Sequence, residues 1–389
     1  MLDWHLMQDC FSSQEMRRIW SEASTLSVWI KVEQALARAQ CDIGLIPQEA
    51  ANAINSFSLA DLDRDQMQKD MKMVGRPIVG LVKQMRAHVG PELAQHVHFR
   101  STTQDIMDTG LSMQMKLGLQ AVLSSVDRLI AALGEKIEAH KEVRMMGRTN
   151  GQHAVPMLLS TKLRVWQAEL GRHVERLNDA SHRGLLVQVG GPLGDLACYD
   201  GETGQRVKSR LADVLDLGTV EPHWQNARDG VAEIVNGLGA LCACLSKIAH
   251  NINLLSSSDI GEICEVHSNG KGASSSMHHK KNQRASEFAE ASSRLGRQRA
   301  EHIGELGLHQ HERSGGVWIA EWVVVPEVFL LTSGALEWSE KMLADMVVCE
   351  EEMAAGQSRP IPAFGRRSVM LHRRQSELPF AAGENTNTL

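Results

Sequence analysis

Residues 272–283 read GASSSMHHKKNQ and pack three serines, two histidines and two lysines into twelve positions. Three further segments are as polar: 98–109 (HFRSTTQDIMDT), 147–156 (GRTNGQHAVP) and 309–322 (HQHERSGGVWIAEW). Each is dense in hydroxyls, amides, Lys and Arg, which are the donors a carboxylate needs. Taken singly, each reads equally well as a cap or a turn, with Thr102 or Thr103 capping the helix ahead. Four of them, each at the end of a long helix, point instead to anion binding. No nucleophile–His–Asp spacing, P-loop or dinucleotide fingerprint competes.

The elements that must carry these segments are helices. Val231, Ile234, Leu238, Leu241, Leu245, Ile248, Ile252 and Leu255 recur three and four apart, which is the apolar seam of a long helix. A second seam runs through Met115, Leu119, Val122, Val126, Leu129, Leu133 and Ile137. A third runs through Leu159, Leu163, Trp166, Leu170, Val174 and Leu177, with Pro156 near its start, where a helix tolerates proline. Three long stripes predict an all-α, near-parallel bundle. Leu238, Leu241, Leu245 and Ile248 are expected to face other helices, some from neighbouring subunits. Gly190, Gly191, Pro192 and Gly194 mark one break, and residues 269–272 another. No strand-like alternation or internal repeat stands out. Residues 1–105 are expected to form an N-terminal domain of shorter helices, for example over 25–44. Residues 106–345 form the bundle, and 346–389 a truncated or disordered tail, since the apolar pattern fails after Gly356.

Composition narrows the class. The 389 residues are 43% hydrophobic, with one Tyr and 18 Met, so the core is aliphatic and leans helical. A net charge of -6 gives no sign of nucleic-acid or membrane binding. The seven cysteines are scattered without zinc-like pairing. The first residues show no basic and apolar leader, and no apolar run is expected to span a bilayer. The expectation is a reduced, cytoplasmic protein with no cofactor and no metal.

The four polar segments, in this order, resemble the fumarase/aspartase superfamily, closest to its 3-carboxy-cis,cis-muconate cycloisomerase branch. TTQDIMDTG is similar to that branch's TSQDxMDTG, and QHERSGGVWIAEW to its HERSxGxWxAEW. Trp224 with Arg228 and Asp229 is similar to a further segment there. The resemblance covers roughly residues 10–345. It implies a long-helix bundle assembled from four subunits, with active sites where loops of three subunits meet. It also implies proton removal next to a carboxylate of a small polycarboxylate. The family signature GSSxMPxKxNP falls on residues 273–283 and matches Ser274 to the general base, Lys280 to the lysine that holds developing charge, and Asn282 to a carboxylate ligand. Thr102, Thr103 and Gln152 match substrate-binding positions, Arg313 a substrate-anion arginine, and His98 an active-site position.

The chain departs from the pattern in three places. His278 and the pair Asn282–Gln283 replace two stiffening prolines. Arg100 stands where the family has glycine. Asn150 stands where the lyases have the histidine linked to leaving-group protonation, and an amide donates no acidic proton. The cycloisomerase branch lacks that histidine too, so an isomerase is expected. The alternatives are an epimerase of an N-substituted aspartate such as iminodisuccinate, a fumarate-releasing C–N lyase, and a non-catalytic structural relative.

Overall fold

The computed structural model describes residues 4–266, 272, 276–277 and 280–358. The N-terminal part is built from α1 (Gln8–Phe11), α2 (Gln14–Ile19), α3 (Glu22–Asp42), α4 (Gln48–Asn55), α5 (Arg64–Val74) and α6 (Pro77–Val89). Their boundaries follow local chemistry. The hydroxyls of Ser13 and Ser21 accept the N–H groups of Met16 and Ser24, each at 3.2 Å, and so cap α2 and α3. Gly75 ends α5 in the left-handed region, and Pro77 opens α6.

Five long helices form the bundle: α7 (Thr103–Ala139), α8 (Leu159–Gly184), then, after α9 (Thr203–Leu215), α10 (Asp229–Leu255), α11 (Arg284–Glu301) and, after α12 (Ile303–Leu306), α13 (Gly315–Ala344). The fold is all-α, as expected, and each seam faces inward. Leu238, Leu241, Leu245 and Ile248 are at most 3% exposed inside the single chain, so this seam needs no neighbouring subunit to cover it. A second apolar cluster joins α3 to α6 with residues 187–215 and Trp318.

Three expectations are corrected. Short strands are present: β1 (Arg144–Thr149) pairs with β2 (Gln152–Leu158), and β3 (Ile263–Glu265) with β4 (Met346–Val348), both antiparallel. Pro156 lies in β2 opposite Met146 rather than at a helix start. By length and composition alone, α7, α10 and α13 could each cross a membrane, against the expectation that no apolar run is long enough. Their seams are taken up in helix packing, but only 33% of the apolar window of α7 is buried within the chain. Beyond α13 come β4 and α14 (Glu350–Ser358), and residues 359–389 lie outside the described residues.

The chain direction sorts the polar segments to two ends. α7, α10 and α13 run from the first end to the second, and α8 and α11 return. α7 is 37 residues long, so its ends are separated by roughly 55 Å at about 1.5 Å per residue.

Candidate active site

The first end gathers His98, Thr102, Thr103 and Arg313. Thr102 is the N-cap of α7 and Thr103 its first residue, so both lie where backbone N–H groups and the helix dipole favour an anion. His98 Nδ1 sits 2.6 Å from Glu33 Oε1. Burial opposes the imidazolium, but the charge and hydrogen bond of Glu33 outweigh it and raise the His98 pKa above its ordinary value. His98 and Thr103 line a cavity of about 460 Å³ together with Lys83 and Arg86. Arg313 donates through Nε to Gln104 Oε1 and through Nη2 to the Pro192 carbonyl at 3.1 Å.

This end rests on groups the motif reading left without roles. Asp105 Oδ2 accepts the N–H groups of Thr102 and Gly191, both at 3.0 Å, while Oδ1 finds no partner among the described residues. Burial pushes Asp105 up to about 7, against the pull of those backbone donors. Below it, Arg228 is buried between Asp108 and Glu321, with contacts of 2.7 and 3.0 Å. Asp108 also accepts Gln104 Nε2 at 2.9 Å and Trp318 Nε1 at 3.0 Å. Arg228, Asp108 and Glu321 all fall inside the recognised motifs. The Thr-x-x-Asp spacing of 102–105 was itself a readable capping signal.

Arg100 has φ 53, a left-handed conformation that glycine adopts without cost, which accounts for the family's glycine there. Its guanidinium lies over the rings of Phe99 and Tyr199, at 5.1 and 5.6 Å, with Asp200 at 3.6 Å. Its Nη1 is buried and makes no hydrogen bond among the described residues.

The second end gathers Gln152, Lys280 and Asn282. Gln152 opens β2 and is exposed. Asn150 and Gly151, at φ 52 and 73, make the two-residue turn of the β1–β2 hairpin. Asn-Gly is the pair such a turn favours, so Asn150 has a backbone reason to be there. Arg148 of β1 grips Glu262 at 2.7 and 2.9 Å, which ties the hairpin to β3. The Glu265 carboxylate accepts the N–H groups of Ala285 and Ser286 and so starts α11. Between them, Asn282 donates its backbone N–H and its Nδ2 to the Gly272 carbonyl, at 3.0 and 3.1 Å. Lys280 is exposed. Ser274, His278 and His279 lie outside the described residues.

The chain thus brings four of the expected site residues to one end and three to the other. Among the described residues, the two groups lie toward opposite ends of the bundle, separated by roughly the 55 Å length of α7 at about 1.5 Å per residue.

Comparison with known proteins agrees with the motif reading. The family described as "Lyase" matches residues 11–294. The chain is 32% identical over 348 residues to trans-aconitate decarboxylase 1 of Mycosarcoma maydis, covering 89% of this chain and 70% of that one. It is 32% identical over 354 residues to 3-carboxy-cis,cis-muconate cycloisomerase of Acinetobacter baylyi, covering 90% and 78%. The crystal structure of 3-carboxy-cis,cis-muconate lactonizing enzyme from Pseudomonas putida superimposes with a TM-score of 0.87 at 30% identity, covering 95% of this chain and 84% of that one.

Proposed function

This chain belongs to the fumarase/aspartase superfamily, and on that premise we propose that it is a cofactor-independent isomerase, 3-carboxy-cis,cis-muconate cycloisomerase-like, acting on a small polycarboxylate. The family comprises lyases and isomerases that share one step, transfer of a proton at the carbon beside a carboxylate. In this reading Ser274 carries that proton, taking it from the lactone and, in the lactone-forming direction, delivering it to carbon as the C–O bond closes. Lys280, Thr102 and Thr103 receive the charge that develops on the carboxylate, and Arg313, Gln152 and Asn282 hold the substrate's anionic groups. His98, whose charged form the Glu33 carboxylate favours against burial, lies beside Thr103 in the same cavity.

The observation that carries the isomerase over the lyase is Asn150. A C–N lyase with a basic amine leaving group needs a proton for it, and the amide at this turn position has no acidic proton to give. An intramolecular cyclisation or an epimerisation returns a proton to carbon instead. The same observation favours an epimerase of an N-substituted aspartate as the second reading.

The active site is proposed to be composite, in a homo-oligomer, most simply a tetramer. Antiparallel neighbours would lay the second end of one chain against the first end of another. The separation of the two half-sites along α7 supports this, as does the apolar surface left on it. Leu117 of α7, Val165 of α8 and Val323 of α13 are 45–59% exposed. No cofactor, nucleic acid or membrane is part of the proposal, and the setting is cytoplasmic.

Two experiments test it. Incubation in deuterium oxide with 3-carboxymuconate and its lactone, fumarate plus amines, and N-substituted aspartates, followed by mass spectrometry and chiral analysis, reads the chemistry. Lactone carrying one deuteron is the expected result. Deuterium at Cα with inverted configuration moves the assignment to an epimerase, and release of fumarate or carbon dioxide to a lyase. No exchange with any of them favours the non-catalytic relative. For the composite site, Thr102→Val and Lys280→Met are each expected to be inactive. Refolding them together should recover about a quarter of wild-type sites, by random assembly of chains. No recovery from the mixture, with assembly intact, overturns shared sites.

A further inference from the structure

The cysteines read as scattered along the sequence include one pair that the fold brings together. Cys264 is the middle residue of β3 and lies opposite Val347. Cys349 follows β4 and stands two residues beyond that partner. It is therefore on the same face of the ribbon and diagonal to Cys264. The two sulfurs are 3.8 Å apart and both residues are partly exposed. A disulfide needs about 2.05 Å, so side-chain rotation has to close less than about 2 Å. The other thiols are placed differently. Cys242 and Cys244 are buried, Cys242 against Thr332. Cys41 meets Gln48, and Cys198 the Arg100 carbonyl.

We propose that Cys264 and Cys349 are a covalent modification site that closes to a reversible disulfide when the protein meets a low-molecular-weight disulfide such as oxidised glutathione. The thiolate of one cysteine attacks a sulfur of the oxidant and releases one small thiol. The second cysteine then attacks the protein sulfur of the mixed disulfide and releases the other. The protein loses two protons and two electrons, and the oxidant leaves as two thiols.

The position gives the bond a consequence. β3 leads into the segment that holds Lys280 and Asn282, and its neighbour Glu262 holds Arg148 at the base of the Gln152 hairpin. On the other side, Cys349 donates its backbone N–H to the Glu262 carbonyl at 3.0 Å and leads into α14. Closure fastens the β4–α14 unit to the strand beneath the second half-site.

The test treats wild type, Cys264→Ser and Cys349→Ser with excess oxidised glutathione, then measures intact mass, free thiols and tryptic peptides without reduction. The expected result for wild type is loss of two hydrogens, a fall from seven free thiols to five, and one linked peptide pair joining Cys264 to Cys349. Each variant, which keeps one partly exposed thiol of the pair, should instead carry a stable glutathione adduct there. Stable adducts on both cysteines of folded wild type overturn the proposal. So does a bond to any other cysteine, or no reaction at either sulfur.

Discussion

The two ends of the bundle hold the same kind of chemistry in different ways. At the first end, nearly every functional group is already fastened. His98 is held by Glu33, Arg313 by Gln104 and Pro192, and the start of α7 by Asp105. Beneath them lies the buried charge cluster of Arg228, Asp108 and Glu321. At the second end the scaffold is fastened, through Arg148–Glu262 and Glu265, but Lys280 and Gln152 extend into solvent. The difference separates two jobs. An anion receptor gains from being rigid before substrate arrives. Side chains that have to reach the receptor of another chain, as the proposed composite site requires, must extend out of their own.

The largest expected effect is at Ser274, which lies outside the described residues. Ser274→Ala should lower kcat by about three orders of magnitude, roughly 4 kcal/mol, while folding and assembly stay unchanged. Turnover near wild type would make His98 the next candidate for the base.

At the first end the expected effect is on stability. Arg228→Met leaves Asp108 and Glu321 buried without a counter-charge, and should cost about 3–5 kcal/mol in denaturant unfolding. A loss below about 1 kcal/mol would show that this end is not organised around the cluster.

A smaller effect concerns pH. The folded pKa of Asp105, about 7, lies above its unfolded value near 3.9. The folded state therefore holds the extra proton between those values. Stability is fully present below about pH 4 and falls as pH rises through about 7. His98 acts in the same direction, since its raised pKa means that stability is lost as pH climbs past its folded value. Asp105→Asn should flatten the decline in unfolding free energy between about pH 4 and pH 7. An unchanged slope would mean that Asp105 is ionised throughout.

The smallest effect is at the hairpin. Asn150→Ala places a methyl side chain in the left-handed region, which should cost about 1 kcal/mol and lower the melting temperature by a few degrees. Asn150→Gly should leave it nearly unchanged. If Ala cost nothing, Asn150 would be there for a reason other than the turn.

Much of this molecule was legible as a string. The three seams were readable because a helix repeats every 3.6 residues, so burial along one element leaves a periodic trace. The candidate site segments stood out by their density of carboxylate donors, and the roles of their residues came from the resemblance to the family. β1 and β2 were not readable as strands. Their burial does not alternate, the register slips between Met146 and Arg148, and Pro156 argues against a strand. The Asn150–Gly151 turn signal is present but sits inside a polar segment with no strand alternation on either side to mark it as a hairpin.

The sequence by itself determined the all-α class, the long helices and the residue types of the site, because these are properties of one segment at a time. Only the tertiary structure decided that His98, Thr102, Thr103 and Arg313 lie toward one end of the bundle while Gln152, Lys280 and Asn282 lie toward the other. It alone set Cys264 beside Cys349 and enclosed Arg228 between two acids. Each of these depends on the order and direction in which distant segments pack, and sequence spacing along a single element carries no record of that.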